Sequence, residues 1–435
     1  MMSSDLQSRR LSVSVFSAVV RKGRGLEEEF AAQISAQEMR EPLETRDRMF
    51  VRMLVTTALR RLGQIDDLLK RFLKKPISEK ASYVSDVLRL ATAQLVFMDT
   101  PPHAAVSTAV ALVKESPFSG FSGLTNAVLH RLAEQGKNLA QKQNAARLNT
   151  PAWLMREWEK AYGKEAADRI AAAALTEAPT DFTVKGDPAL WAKRLNAEPM
   201  PTGTLRRFES ASVPALDGFE DGAWWVQDLS AAVPVTLFGD LTDKNAADLC
   251  AAPGGKTAQM AVKGAKVVAV DISARRIERL AENMERLKLP VKTVAEDAFD
   301  WIKGQKPETY DALLLDAPCS ATGTLRRHPD VACHRTPDDV ARLNGIQRNM
   351  LEKAATLLKK DGVLVYCVCS ILPSEGRDLI NDVTARGVFE RIPVTESDVP
   401  AEMVSPDGDL LILPSLYADK GGCDGFFAAR LKRKG

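Results

Sequence analysis

Asp248-Leu249-Cys250-Ala251-Ala252-Pro253-Gly254-Gly255-Lys256-Thr257 joins a short apolar segment, Ala246–Leu249, to a pair of glycines. An apolar run of this length indicates a buried strand. Small residues after a strand let the main chain approach a ligand closely at the N-terminus of the next helix. The loop is neither G-x-G-x-x-G nor G-x-x-x-x-G-K-S/T, because the upstream glycine is missing. It therefore predicts a ligand-binding loop of an α/β domain, but not that of a dehydrogenase or a P-loop enzyme.

The chain around this loop alternates between short apolar runs and helical segments. The predicted strands are Ala246–Leu249, Lys266–Val270, Val291–Ala295, Tyr310–Leu315 and Gly362–Val368. Helices are predicted at 273–287 and 338–358 between them. Two further strands, Asp409–Leu413 and Gly425–Leu431, are predicted to form an antiparallel hairpin at the end of the sheet. This βαβ alternation predicts a mostly parallel, doubly wound sheet with ligands at the carboxyl ends of its strands.

Two acidic residues follow the next two strands. Asp271 stands 23 positions after Asp248, where a carboxylate can accept hydrogen bonds from a ribose diol. Its alternative role is to cap the helix that begins near Ser273. Asp297 follows the third strand and suits an adenine amino group, with a turn aspartate as the alternative. Together they predict an adenosine-containing ligand.

The chain has six cysteines, at positions 250, 319, 333, 367, 369 and 423, without a C-x-x-C pair. That usage predicts neither a disulfide scaffold nor a structural metal. The fourth strand ends in Asp316-Ala317-Pro318-Cys319 and the fifth in Cys367-Val368-Cys369. If the period of two persists, Cys367 and Cys369 share a face. Thiols from adjacent strand ends that open on one crevice predict thiol chemistry.

Residues 1–145 have apolar spacing typical of helices throughout and are predicted to form a helical domain. Residues 146–222 are predicted to be a linker and a small α+β subdomain, and residues 223–435 the α/β domain. The first 150 residues hold 22 Lys and Arg against 15 Asp and Glu, which leaves 37 basic and 42 acidic residues for the rest. A basic front half suggests a polyanionic partner, although a solvated helical face gives the same count.

Three segments now identify a resemblance. Asp248–Thr257, Asp316–Gly323 (DAPCSATG) and Tyr366–Ser370 (YCVCS), in this order, resemble the Sun/Fmu/NOL1 family of RNA cytosine-C5 methyltransferases, which have a class I (Rossmann-like) domain and use S-adenosyl-L-methionine. In the front half, Leu88–Leu95, Pro101–Val106 and Gly123–Leu129 resemble the NusB-type RNA-binding domain. The resemblance covers nearly the whole chain.

The resemblance implies roles that the spacing alone leaves open. It implies that Cys369 is the nucleophile that attacks cytosine C6, that Cys319 assists release, and that Asp316 contacts the base. The residues implied to bind the cofactor are Cys250, Ala251, Ala252, Pro253, Gly254, Gly255, Lys256, Asp271, Asp297 and Asp316. Those predicted to contact RNA phosphates, with a solvated loop as the alternative, are Arg326, Arg327 and Arg335.

Three positions depart from the family pattern. Val368 stands where Thr is usual, and Ala321 where Gly is usual. Residues 331–335 lack the Trp that often follows the Arg326–Asp330 segment. Substrate contacts in that loop are therefore not inferred from the family.

The resemblance implies small-subunit (16S) rRNA as the partner. Transfer RNA or large-subunit rRNA as substrate, and an RNA-binding antitermination or assembly factor with a vestigial methyltransferase domain, are the alternatives. No run of about 18 apolar residues occurs, so no membrane span is predicted. We expect a cytoplasmic monomer that requires no metal.

Overall fold

The structure is a computed structural model that describes residues 4–209 and 211–434. Its chain divides into two compact units. One contains the chain up to Thr176 together with Leu325–Arg335, and the other contains Glu177–Thr324 and the chain from Thr336 onward. None of the helices in the described ranges is long and apolar enough to cross a membrane.

The first unit is helical. Its core joins side chains from the helices α1 to α7, and five of the fully buried ones are Phe16, Leu54, Leu88, Val113 and Leu129. Its helices in chain order are α1 (Ser4–Lys22), α2 (Leu26–Glu38), α3 (Thr45–Arg60), α4 (Leu62–Phe72), α5 (Ser82–Phe97), α6 (Pro102–Lys114), α7 (Ser122–Gln141), α8 (Ala145–Asn149), α9 (Ala152–Tyr162) and α10 (Lys164–Ala173).

The helical unit extends beyond the boundary predicted at residue 145. Helix α8 packs against α4 and α10. Gly63 lies so near α8 that a Cβ there would be 1.7 Å from the Leu148 carbonyl oxygen, and the Gln64 amide donates to Asn149 Oδ1 at 3.1 Å. Because these contacts tie α8 to the helical core, the segment that we predicted as a linker belongs to that unit up to Thr176.

The same unit takes in a short segment from far along the chain. Leu325–Arg335 contains α16 (Val331–His334), which packs against α1. Asp330 Oδ2 accepts the Leu26 amide at the start of α2 at 3.1 Å, which satisfies a donor that a helix N-terminus leaves open. Cys333 packs on the helical core. The segment is therefore a structural part of the helical unit.

The second unit begins with a small antiparallel sheet. Its strand order is β2 (Glu198–Pro199), β3 (Leu205–Arg207), β1 (Thr180–Val184) and β4 (Trp224–Val226), with α11 (Pro188–Arg194) packed on β2 and β3. A buried ion pair between Arg206 and Asp181, 2.7 Å apart, lies within it, and the Arg206 guanidinium also donates to the Gly422 carbonyl at 2.6 Å. The predicted α+β segment thus has its own sheet, whose last strand lies beyond residue 222.

The main sheet has eight strands in the order β10-β12-β9-β8-β5-β6-β7, with β11 paired to β12. Strands β5 to β9 run parallel, whereas β12 is antiparallel to β9, β10 and β11. The strands are β5 (Asn245–Leu249), β6 (Lys266–Asp271), β7 (Val291–Ala295), β8 (Tyr310–Asp316), β9 (Leu358–Val368), β10 (Phe389–Ile392), β11 (Leu410–Ile412) and β12 (Phe426–Arg433). The accompanying helices are α12 (Leu229–Ala232), α13 (Gly255–Val262), α14 (Ala274–Arg286), α15 (Ala298–Gly304), α17 (Pro337–Ala354) and α18 (Arg377–Ala385).

Alternation along the central strands buries both faces of this sheet. Leu313 and Leu315 pack in a cluster with Leu351 of α17, whereas Ala312 and Leu314 pack in the opposite cluster with Val235. Side chains in a strand alternate between the two faces, so both faces of β8 need a helical or loop cover. The predicted fold class, a helical domain followed by a mostly parallel α/β sheet with an antiparallel hairpin at its end, is confirmed.

A buried carboxylate next to β11 makes the stability of this unit depend on pH. Asp409 is fully buried, and burial raises its pKa to about 7 even though Arg391 Nε lies 3.3 Å away. Because the native state holds this proton above the pH at which the unfolded chain releases it, stability falls as pH rises from about 4 to 7. The slope contributed by this group is at most about 1.4 kcal/mol per pH unit.

Asp409→Asn should therefore gain stability relative to the wild type as pH rises. Thermal melts at pH 5 and pH 8 should show a more favourable shift for the variant at pH 8. Asp419→Asn, which changes an exposed carboxylate between β11 and β12, is the matched control and should show no such difference. The same shift at both pH values would contradict the assignment to Asp409.

Candidate active site

The loop after β5 turns sharply into α13. Cys250 has φ +64° and Gly254, the N-cap of α13, has φ +102°. A Cβ on Gly254 would lie 2.8 Å from Leu280 Cγ of α14, so only glycine fits this close approach. The sequence prediction of a tight main-chain turn at a helix N-terminus is confirmed.

Asp271 lies at the end of β6 and forms a hydrogen bond with the main chain of this loop. Its Oδ2 accepts the Ala252 amide at 3.2 Å, its Oδ1 accepts the Ser273 amide at 3.0 Å, and Arg276 Nη1 lies 3.4 Å away. Ser273 itself caps α14. Ile272, which we did not single out from the sequence, is 71% exposed next to Asp271 and offers an apolar surface at the strand end.

Asp297 caps α15. Its Oδ1 accepts the Phe299 amide at 2.9 Å and the Asp300 amide at 3.4 Å, so the structure gives it the turn role named as the alternative. Its part in adenine binding stays a prediction.

Asp248 is buried at the end of β5 beneath the loop. Its Oδ2 accepts the Thr257 hydroxyl at 2.5 Å, whereas its Oδ1 has no hydrogen-bond partner among the described residues. Burial raises the pKa of Asp248 to about 7, with the Thr257 hydrogen bond opposing the shift. A buried carboxylate oxygen without a partner beside a ligand loop is a position for a donor from outside the chain.

Lys256 connects the loop to the end of β8. Its Nζ lies 2.8 Å from Asp316 Oδ2 and 4.9 Å from the ring centroid of Phe426. Burial opposes the charge on Lys256, but the neighbouring Asp316 carboxylate more than compensates, and the net effect raises the pKa of Lys256. Cys367 Sγ lies 3.7 Å from Asp316 Oδ1. The side chain of Asp316 is still 31% exposed, which leaves part of the carboxylate open to a ligand.

The structure brings Cys319 and Cys369 together. Their sulfur atoms are 3.5 Å apart, and the Gly323 amide donates to the Cys369 carbonyl at 3.0 Å. The hydrogen bond with Cys369, then burial, raises the pKa of Cys319 well above its ordinary value. These two effects favour the protonated form of the Cys319 thiol. Cys367 and Cys369 pack in the same core cluster, as the period of two predicts.

The departure at Ala321 has a visible consequence in this loop. Ala321 adopts φ +58°, the left-handed conformation that glycine takes without strain. For a residue with a Cβ this conformation costs roughly 1–2 kcal/mol. The loop therefore adopts, at some expense in stability, a turn that glycine would form without strain.

Sequence reasoning missed the buried carboxylate of Glu375, which is 0% exposed. It accepts hydrogen bonds from Ser320 and from Gln347. The signal available in the sequence was a charged residue six positions after Cys369, in a segment that begins with the apolar pair Ile371-Leu372.

The three arginines predicted to contact RNA lie in the Leu325–Arg335 segment. Arg326 is 1% exposed, and its carbonyl accepts the Arg60 guanidinium at 3.0 Å. The structure does not support Arg326 as a phosphate contact, because its side chain is buried. Arg327 and Arg335 are partly exposed and stay predicted contacts.

Comparisons with known proteins agree with this geometry. A family model described as "16S rRNA methyltransferase RsmB/F" matches residues 238–432, and one described as "NusB family" matches residues 6–134. A Xylella fastidiosa protein named "Ribosomal RNA small subunit methyltransferase B" is 33% identical, over 99% of this chain and 99% of its own length. The chain belongs to the RsmB/F family.

Another relative and two solved structures extend the match. The Cronobacter sakazakii protein of the same name is 31% identical over the full length of both chains. The crystal structure of PH0851 covers 100% of this chain and 99% of its own, with a TM-score of 0.78 at 20% identity. NSun6 from Pyrococcus horikoshii, solved with SFG, covers 65% of this chain and 98% of its own, with a TM-score of 0.55 at 20% identity. These two structures share the fold.

Membership of the RsmB/F family confirms the resemblance stated from the motifs, including the NusB-like helical domain. The protein is an S-adenosylmethionine-dependent RNA methyltransferase. The site fits this cofactor: Asp248 Oδ1 has no hydrogen-bond partner among the described residues, and Asp271 lies at the end of β6 beside the exposed Ile272.

Proposed function

We propose that this RsmB/F protein methylates C5 of a cytosine in small-subunit (16S) rRNA through a covalent adduct between Cys369 and cytosine C6. The 3.5 Å approach of the Cys319 and Cys369 sulfurs beside the exposed part of Asp316 carries this proposal. One thiol can hold the proton while the other attacks, which is the division of labour that C5 methylation through an adduct needs.

The reaction begins at Cys369. C5 of cytosine is a poor nucleophile, so the Cys369 thiolate first adds to C6 and its electron pair forms the S–C6 bond. The electrons of the C5=C6 bond form a C4=C5 bond, and those of the C4=N3 bond move to N3, which takes up a proton, so that C5 becomes the nucleophilic carbon of an enamine. Asp316 hydrogen-bonds the base near N3 and the exocyclic amine and stabilises the charge that develops there.

The second half of the reaction restores the base. After C5 has gained its methyl group, a base removes the C5 proton, the C5=C6 bond forms again, and the S–C6 bond breaks to return the Cys369 thiolate. Cys319 assists this release from its position against Cys369. The target base has to leave its stack to reach both groups, so an unpaired or splayed nucleotide is the expected substrate.

The cofactor site extends from the glycine turn to Asp297. S-adenosylmethionine supplies the methyl group when bound. Asp271 and Asp297 would receive the ribose and adenine, Ile272 would face the adenine, and Asp248 with the turn Cys250–Gly254 would hold the methionine end. Lys256 neutralises Asp316 and thereby fixes the carboxylate between the cofactor loop and the base.

Asp271→Ala should weaken cofactor binding by about 10- to 100-fold, because it removes a charged acceptor for the ribose. RNA affinity should stay within about twofold of the wild type. Calorimetric titration with S-adenosylhomocysteine and filter binding with RNA measure the two affinities. Asp300→Ala, an exposed carboxylate on α15, is the control. Unchanged cofactor affinity would contradict the ribose role of Asp271.

The proposed substrate is tested with labelled S-adenosylmethionine and separated small-subunit, large-subunit and transfer RNAs from a strain that lacks this gene. Bisulfite sequencing then locates the product. One modified cytosine in small-subunit rRNA is the expected result. Label in transfer RNA alone would keep the chemistry and overturn the target. Methylation at a base other than cytosine would overturn the adduct mechanism.

The surroundings in which the protein acts follow from this substrate. We place it in the cytoplasm as a monomer acting on rRNA. Light scattering of the purified protein, free and with RNA, tests the monomer. A mass of two chains in either state would contradict it.

A further inference from the structure

The main chain on both sides of Cys319 is fixed by one buried pair of side chains. Gln347 Nε2 of α17 donates to the Pro318 carbonyl at 2.9 Å, before the cysteine. Glu375 Oε1 accepts the Ser320 amide at 2.8 Å, after it. The same Gln347 nitrogen donates to Glu375 Oε1 at 3.0 Å, so the two side chains form one unit.

The burial of Glu375 and Gln347 costs folding stability. Glu375 and Gln347 are both 0% exposed. The Glu375 carboxylate accepts hydrogen bonds from neutral donors, namely Ser320 and Gln347. The Ser320 hydroxyl donates to Glu375 Oε2, and the Tyr366 hydroxyl donates to the main-chain carbonyl of Glu375 at 2.7 Å. Burying a carboxylate among neutral donors costs stability, so we look for its role in the site rather than in packing.

We propose that Glu375 is a positioning residue for Cys319: with Gln347, its carboxylate fixes the main chain on both sides of that cysteine and so sets the approach of its sulfur to Cys369. This inference rests on the proposed function, since it concerns the release step. Ser320 continues the network to Thr322 and Ser370, at 3.2 Å each, which ties the Cys319 loop to the residue after Cys369.

The charge on Glu375 also affects the protonation of Cys319. It adds to the hydrogen bond with Cys369 and to burial in raising the pKa of Cys319. The thiol that Glu375 holds in place is therefore also kept neutral.

The test compares Glu375→Ala, Glu375→Gln and Cys319→Ala in the full-length protein. Glutamine keeps an acceptor for the Ser320 amide, and the serine hydroxyl accepts from its new N–H group as readily as it donated before. We expect Glu375→Ala to lower turnover about 100-fold. It should also accumulate an RNA adduct that survives denaturing gels, as Cys319→Ala does. Glu375→Gln should restore turnover to within about threefold and form no lasting adduct. Glu390→Gln, an exposed glutamate on β10, is the control.

Two further readouts separate positioning from a general loss of structure. Affinity for S-adenosylhomocysteine should be unchanged in Glu375→Ala. If that variant does not fold, Gln347→Leu, which removes both donations of the glutamine, should accumulate the adduct instead. Folded Glu375→Ala with normal turnover, Gln347→Leu without an adduct, or Glu375→Gln as impaired as the alanine variant would each overturn the positioning role. If Cys319→Ala forms no adduct while the wild type methylates RNA, the proposed release step fails and the inference fails with it.

Discussion

Cys369→Ala is expected to lower methyl transfer by on the order of 10⁴-fold or more, since removal of a covalent nucleophile leaves only binding and electrostatic effects. The variant should form no RNA adduct, because no S–C6 bond can be made. Affinity for S-adenosylhomocysteine should stay within about twofold of the wild type, as Cys369 lies outside the loop that precedes α13. Single-turnover methylation with labelled cofactor measures the effect.

The matched control is Cys423→Ala, which removes another thiol of the same domain. Cys423 is buried, and its thiol donates to the carbonyls of Leu413 and Leu416. Its loss should leave turnover unchanged to within about threefold. Cys369→Ala with near-normal activity would refute the nucleophile assignment and direct attention to Cys319.

Cys319→Ala is expected to convert the enzyme into a stable RNA adduct. Addition at C6 and methylation at C5 need Cys369, whereas release needs the partner thiol 3.5 Å away. The adduct should therefore outlive denaturation, and turnover should stop after about one equivalent of product. A denaturing gel with labelled RNA shows the shifted band, and the methyl label should travel with it.

The double variant Cys319→Ala/Cys369→Ala distinguishes this adduct from tight binding. It should give no shifted band, because the covalent bond belongs to Cys369. A Cys319→Ala variant that turns over normally and leaves no band would exclude Cys319 from release.

Most of the α/β domain could be predicted because its strands are continuous apolar runs. The strand predicted at Tyr310–Leu315 ends at Asp316, and the helix predicted at 338–358 is Pro337–Ala354 with a capping box between Thr336 and Asp339. The strands of the small antiparallel sheet could not be predicted from apolar runs in this way. Strands of two or three residues, such as Glu198–Pro199, are too short to show a period and exist only through their partners.

The site residues likewise fall into those that local sequence reveals and those that depend on tertiary contacts. Loops that directly follow strands place Asp271, Asp316 and Cys319 at one edge of the sheet, so local sequence was enough to find them. Glu375 was missed, because its function depends on contacts with Ser320 and Gln347, 55 and 28 residues away. Arg326 was misjudged for a related reason: a basic residue in a loop suggests solvent, and only the tertiary packing shows that its side chain is buried.

The Leu325–Arg335 segment has a consequence for biosynthesis. The Leu26 amide cannot form its hydrogen bond until Asp330, 304 residues later in the chain, has been synthesised. At about 5–20 residues per second of translation, the nascent helical unit therefore spends roughly 15–60 s without its last piece. A fragment cut after Thr176 would carry the same gap, with the surface that Cys333 covers left bare. The helical unit can finish folding only after much of the catalytic unit has left the ribosome, so the two mature together although one is made first.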